Sequence, residues 1–584
     1  MTLGACRRSR SPQLFALSLF LALAFASSPA VPSTAVPAAS ARADRILVRV
    51  APGPALPAVL AAAATGARHL FGGWWRIPVP AGDAVVPLLE RLAGRDDVEL
   101  VAADLVHSLA FGGEVLRPSA PSLRAGGASA ALVADDPLFV QQWHHQRIQA
   151  APAWLRATGE GVVVAVVDSG VSLGGNDGFC HPLAGEYNAV LDTQGPGTAA
   201  DVLGHGTFVA GVVAQCTGNG LGGAGLAPGA SILAIRACTD DYECASSDVA
   251  TAIDWATTHG ARVINLSLGM ACGSADWPEC STAIENDAIA RAKAAGVTLV
   301  AIAGNGHEDH LGFPANHPDV IGVGGVEARL LKASYSNWGA ALSVMAPAGE
   351  PGVDFDGDGF DDEILQETLR RICFFGGGSG FAYCRWSGTS FAGPHVAATA
   401  ALLLEEHPGA SRDQVRRALE ESALDRGAPG FDVLYGHGVV QADAALTRLD
   451  GIVAVEGEGC VATAERLCLL QNRFAVEVSW TDYQGTSGAG IVRPLTTDSG
   501  LFWFFAPENL ELLVKMVDGC SFNGHYWIFA AATTNVEYHL RVTESANGTF
   551  RTFDNTLGTA SPAFISIDAF PCAPERNGDS PSFR

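Results

Sequence analysis

Positive charge is scarce in this chain. Lys and Arg total 36 against 61 Asp and Glu, and the formal net charge is −25. A surface of that sign repels phosphate backbones and anionic headgroups, which argues against nucleic acid and acidic membranes as partners. Charged residues of both signs make up only 17% of the sequence, whereas hydrophobic ones make up 48%. That balance fits a core-forming globular chain and not a disordered one. Beyond the first 26 residues no apolar run is long and featureless enough to span a bilayer. No C-x-x-C pair occurs among the 13 cysteines, which argues against a zinc site or a dithiol redox motif.

What is present at the amino terminus has the pattern of an export signal. Arg7, Arg8 and Arg10 form a basic stretch, residues 14–25 are apolar, and Ala24-Phe25-Ala26 offers a small-residue cleavage site. Residues 1–26 are therefore read as a signal peptide, and the expected location is extracellular. Removing Cys6 leaves 12 cysteines, an even number that favours disulfides in an exported protein. Short spacings suggest Cys238–Cys244, Cys272–Cys280, Cys373–Cys384 and Cys460–Cys468. The four that remain suggest Cys180 with Cys216 and Cys520 with Cys572, the sequence alone leaving the connectivity open.

Three stretches carry candidate chemistry. In SGTSFAGPHVA (387–397), Ser390 stands at the mouth of a helix-compatible run. Free backbone N–H groups and the positive end of the dipole favour a developing anion there. Gly388 permits close approach of a substrate, and Pro394 falls in the first turn, where its missing N–H costs least. A serine so placed is a candidate nucleophile that needs a base and an orienting acid. GVVVAVVDSGV (161–171) is a valine-rich run that predicts a buried parallel strand ending on Asp168. GHGTFVAGVVA (204–214) places His205 at the start of a second helix.

The order Asp168, His205, Ser390, each in its local motif, resembles the subtilisin-like serine proteases. That resemblance implies an Asp-His-Ser triad acting on polypeptide substrates through an acyl-enzyme. It further implies that Asn305, in TLVAIAGNGH (298–307), donates to the oxyanion beside the Ser390 N–H. INLSLG (264–269) matches the segment that pairs with substrate backbone as an added strand. Ser267, Leu268 and Gly269 would then face the peptide, with Ala303 and Gly304 lining the pocket for the residue before the scissile bond. Phe391 and Gly393 depart from the commoner Met and Ala of the family's serine motif, which bears on pocket shape and not on chemistry.

The expected architecture has three parts. Residues 45–110 alternate strand and helix patterns and resemble the α+β propeptides of that family, which implies a chaperone and inhibitor whose tail lies in the substrate cleft. Residues 111–134, rich in Gly, Ala, Ser and Pro, form a linker in which maturation is expected. Residues 135–450 alternate strands (162–167, 232–235, 263–268, 298–303, 320–323, 344–346) with helices (206–214, 247–258, 284–295, 389–405, 412–422). That pattern predicts a doubly wound, mostly parallel sheet with its site at the strands' carboxyl ends. Residues 451–584 alternate with period two and predict an all-β sandwich.

DFDGDGFDD (354–362) opens like a calcium loop. Asp354, Asp356, Asp358, the Phe360 carbonyl and Asp362 are its candidate ligands, but Leu365 stands where the closing Glu would be, so a complete EF-hand is excluded. A second calcium site near Asn219 is a family possibility. The expectation is a monomeric, secreted serine endopeptidase made as a zymogen, held by structural calcium and inhibited by its own propeptide. The competing reading is a calcium-dependent binding protein on an inactive protease scaffold.

Overall fold

A computed structural model of the chain describes residues 40–50, 66–79, 92, 98–109, 135–271, 281–355, 357, 359–370, 379–456, 460–545, 549–561 and 563–572. At its centre is an eight-stranded sheet in the order Val344–Pro347, Ile321–Val326, Thr298–Ile302, Val263–Leu266, Val163–Asp168, Ser231–Arg236, Gly185–Asn188 and Thr193–Gln194. All neighbours run parallel except the last pair. The valine-rich strand forms because both of its faces are buried. Val164 and Val166 pack into one apolar cluster, and Ala165 and Val167 into another. Helices His205–Ala214, Thr389–Glu406, Arg412–Glu421 and Ala442–Glu456 cover the first face. Ser246–Thr258 and Ala283–Ala294 cover the second. This is the α/β doubly wound fold the alternation predicts, and the winding reverses beside Val163–Asp168, where such sheets form a crevice.

Two strand pairs were not expected from the sequence: Gly185–Asn188 with Thr193–Gln194, and the antiparallel hairpin of Ile364–Leu369 with Phe381–Trp386. The hairpin's first strand, ILQETL, is buried although polar at its centre. Gln366 donates to the Gly211 and Ala224 carbonyls at 2.9 and 2.8 Å. The Glu367 carboxylate accepts the Asn176 N–H at 3.1 Å. Polar groups satisfied by distant main chain carry no apolar period, which is why the strand is not legible.

Toward the amino terminus, Ser40–Val50, Trp74–Pro78 and Val98–Leu109 pair antiparallel, with Arg68–His69 at the edge. The helix candidates between them lie almost wholly outside the described residues. Toward the carboxyl terminus, two five-stranded antiparallel sheets share one buried cluster. Val476, Val478 and Leu540 reach it from one sheet, and Val514, Met516 and Ile528 from the other. Disulfides join Cys180–Cys216, Cys238–Cys244, Cys460–Cys468 and Cys520–Cys572. Cys272, Cys280 and Cys373 lie outside the described residues. No described helix is long and apolar enough to cross a membrane.

Candidate active site

Asp168 is the last residue of its strand, and its Oδ1 and Oδ2 lie 2.8 and 3.0 Å from His205 Nδ1. Both residues are fully buried. Oδ1 also accepts the Ser169 N–H at 2.7 Å, which fixes the carboxylate's rotation. His205 opens its helix after Gly204, whose φ of +92° favours glycine. Gly206 presses against the strand end. A Cβ there would lie 2.1 Å from the Gly170 oxygen and 3.0 Å from Asp168 Cβ. Asp201 holds this junction, accepting from Gly204 N (2.8 Å), Thr207 N (2.9 Å) and Thr207 Oγ1 (2.7 Å). Burial pushes its carboxyl pKa upward despite those bonds.

Ser390 is the second residue of the Thr389–Glu406 helix and is fully buried. Its carbonyl accepts from Ser267 Oγ at 2.7 Å, and Ser267 in turn accepts from Asn265 Nδ2 at 2.9 Å. The Ser267 side chain thus braces the Ser390 backbone. Phe391, beside Ser390, sets its ring 5.8 Å from the His205 imidazole and 4.5 Å from Phe208. Trp386, at the end of the hairpin, joins this group at 5.7 Å from Phe391 and 6.4 Å from His205. The larger residue at 391 therefore has aromatic partners, one of them supplied by the hairpin. Gly393 also has a packing reason: an added Cβ would stand 3.1 Å from Asn265 Oδ1 and Ile302 Cγ2.

Asn305 Oδ1 accepts from Thr389 N at 2.9 Å and Thr389 Oγ1 at 2.8 Å. The residue next to Ser390 thus fixes which end of the Asn305 amide faces it. Gly304 takes a φ of +109°, and a Cβ there would lie 2.7 Å from Asn337 Nδ2. Ala303 is buried, with its N–H on Val323 O at 2.8 Å. Leu268 and Gly269 pair antiparallel with Leu109 and Ser108, and Glu243–Ala245 pairs with the same strand through Val106, His107 and Ser108. The end of the amino-terminal sheet therefore lies between two strands of the parallel-sheet region.

Asp354 Oδ1 and Oδ2 accept from Gly357 N at 2.8 Å and Gly359 N at 3.1 Å, and Asp362 Oδ2 accepts from Phe355 N at 2.6 Å. Phe360 lies under the Arg385 guanidinium at 5.0 Å. Asp356 and Asp358 lie outside the described residues. The described part is a tight loop curled by Gly357 and Gly359 at φ +76° and +90°, with these carboxylate oxygens turned onto its own N–H groups. Near Asn219 the chemistry differs. Asn219 Nδ2, Gln215 Nε2, Tyr383 OH and Gly223 N all donate to the Asp177 carboxylate at 2.8, 2.5, 2.8 and 3.0 Å. A carboxylate ringed by four donors leaves a cation little to bind.

A family model described as the subtilase family matches residues 159–438. Subtilisin BL of Lederbergia lenta is 34% identical over 304 residues, spanning 52% of this chain and 97% of that protein. Subtilisin Savinase of the same organism is 33% identical with the same coverage. Alkaline elastase YaB of Bacillus sp. (strain YaB) is 31% identical over 358 residues, 60% of this chain and 83% of that one. The enzyme is a serine endopeptidase. The chain belongs to the subtilase family.

Proposed function

We propose that this endopeptidase is secreted as a zymogen and works through Asp168, His205 and Ser390. The observation that carries the reading is the buried contact of His205 Nδ1 with Asp168 at 2.8 Å, beside the helix whose second residue is Ser390. Asp168 holds the Nδ1–H tautomer, so Nε2 is the basic nitrogen. Ser390 Oγ attacks a peptide carbonyl as Nε2 takes its proton, and Nε2 then returns that proton to the leaving amine. Asp168 offsets the charge of the imidazolium. Asn305, oriented by Thr389, and the Ser390 N–H donate to the oxyanion. Water then releases the acyl group.

The amino-terminal sheet is the propeptide in this reading, and the pairing of Ser108 and Leu109 with Leu268–Gly269 supports it. So does Asp104, which accepts from Ser247 N (2.9 Å) and Ser247 Oγ (2.8 Å) at the start of a helix, with Arg45 Nε at 2.8 Å. Calcium would be held by Asp354, Asp356, Asp358, the Phe360 carbonyl and Asp362, where it would neutralise clustered carboxylates. Incubation of the matured enzyme with a fluorophosphonate, followed by peptide mapping, tests the reading. Modification of Ser390 is expected, and an unlabelled, active enzyme would overturn it.

A further inference from the structure

His107 lies on the Val98–Leu109 strand, between Glu243–Ala245 and Leu268–Gly269, and has no exposed surface. Its Nε2 is 2.9 Å from Glu285 Oε1 and 3.0 Å from Oε2, with Ser246 Oγ at 3.4 Å. The Phe313 ring is 6.2 Å away and tilted. Glu285 is itself fully buried, in the first turn of the Ala283–Ala294 helix. Thr282 caps that helix by accepting the Glu285 N–H at 3.2 Å, and its hydroxyl donates to Oε2 at 2.6 Å. The rest of the carboxylate faces inward, toward the docked strand.

A buried carboxylate with one hydroxyl donor is costly, and a second strong donor offsets the cost. Among the described residues no lysine or arginine forms an ion pair with Glu285; the His107 imidazole is the nitrogen base in contact with it. That partner comes from the docked strand, while Glu285, Ser246, Thr282 and Phe313 all belong to the region that matches the subtilase model. When the strand leaves, the pocket keeps its acid and loses its donor. A substrate following the same path would meet, two residues before the position of Leu109, a carboxylate left with the Thr282 hydroxyl as its donor.

We propose that Glu285 is a specificity-determining residue that selects polypeptides carrying a basic side chain (histidine, lysine or arginine) at the position His107 occupies. The proposal rests on the endopeptidase reading above and on substrates following the path of Val98–Leu109. The chain's net charge of −25 acts in the same direction, since it attracts basic segments before they bind.

The test is a mixed peptide library digested by matured enzyme, wild type and Glu285→Leu, with cut sites read by mass spectrometry. Fluorophosphonate titration sets equal amounts of active enzyme, so a poorly folding variant does not distort the comparison. Wild type is expected to show at least tenfold enrichment of His, Lys and Arg at one position on the amino side of the cut. Glu285→Leu should erase that enrichment and leave preferences at other positions unchanged. Wild type alone suffices to refute the idea if no upstream position favours basic residues. Enrichment that survives in Glu285→Leu overturns it as well. An absence of any cleavage defeats the endopeptidase reading, and this proposal with it.

Discussion

Acid should weaken this enzyme through a histidine cluster packed on the Ser390 helix. His144 and His145 lie on the short helix Trp143–Arg147, and His395 lies on the Thr389–Glu406 helix, five residues beyond Ser390. His395 Nε2 is 2.9 Å from His144 Nδ1, and His145 Nε2 is 3.0 Å from the Ala224 carbonyl. Burial pushes the His145 pKa down from 6.5 to about 4, and burial with repulsion from His145 pushes His395 down to about 3. The unfolded chain therefore binds protons between pH 6.5 and 4 that the folded one refuses. Stability is complete above about pH 6.5 and falls as pH drops toward 4. For His145 alone the gap is 6.5 to about 4; at roughly 1.4 kcal/mol per pH unit this is on the order of 3 kcal/mol. At about 2 °C per kcal/mol for a domain of this size, the melting temperature should fall by roughly 6 °C. The assay is the thermal midpoint of the Ser390→Ala protein between pH 7 and pH 4, which avoids self-digestion, beside the same protein carrying His145→Gln. The glutamine amide can still donate to Ala224 but does not titrate. The histidine protein should lose about 6 °C more over that interval; parallel curves would refute the reasoning.

Two further outcomes are expected. Asn305→Ala should lower kcat with little change in KM, because the proposed amide donation acts on charge that develops only in the transition state. The loss known for subtilisin's own oxyanion asparagine, about 10²–10³ in turnover, sets the scale, and an unchanged kcat would contradict the role. Chelation with EGTA should lower the thermal midpoint, and calcium should restore it. Asp362→Asn should abolish that difference, whereas a midpoint indifferent to EGTA in the parent protein would show that the 354–362 loop holds no calcium.

The central sheet was legible because Val163–Asp168 is buried on both faces, so its apolar run has no polar interruption until Asp168. The strands bearing Asn265 and leading to Asn305 were legible for the same reason. The hairpin before Ser390 was not, since Gln366, Glu367 and Thr368 bury polar groups whose partners lie more than a hundred residues away. Phe391 looked like a departure from the family motif; its reason is Trp386, supplied by that same hairpin. Glu285 in a helix reads as a solvent-facing charge, because nothing local announces a partner 178 positions earlier. Near Asn219, the donors that occupy Asp177 come from residues 215–223 and from Tyr383 of the hairpin, both far from Asp177 in sequence, so no local motif could show that the carboxylate is already satisfied.

The most direct test is the fate of the Ser390→Ala chain expressed and purified beside the wild type. Without the Ser390 hydroxyl, the variant should hydrolyse no peptide and should keep residues 45–110 attached, whereas the wild-type protein should release them. Peptide turnover at the wild-type rate by the purified variant would contradict the assignment of Ser390 and the account built on it.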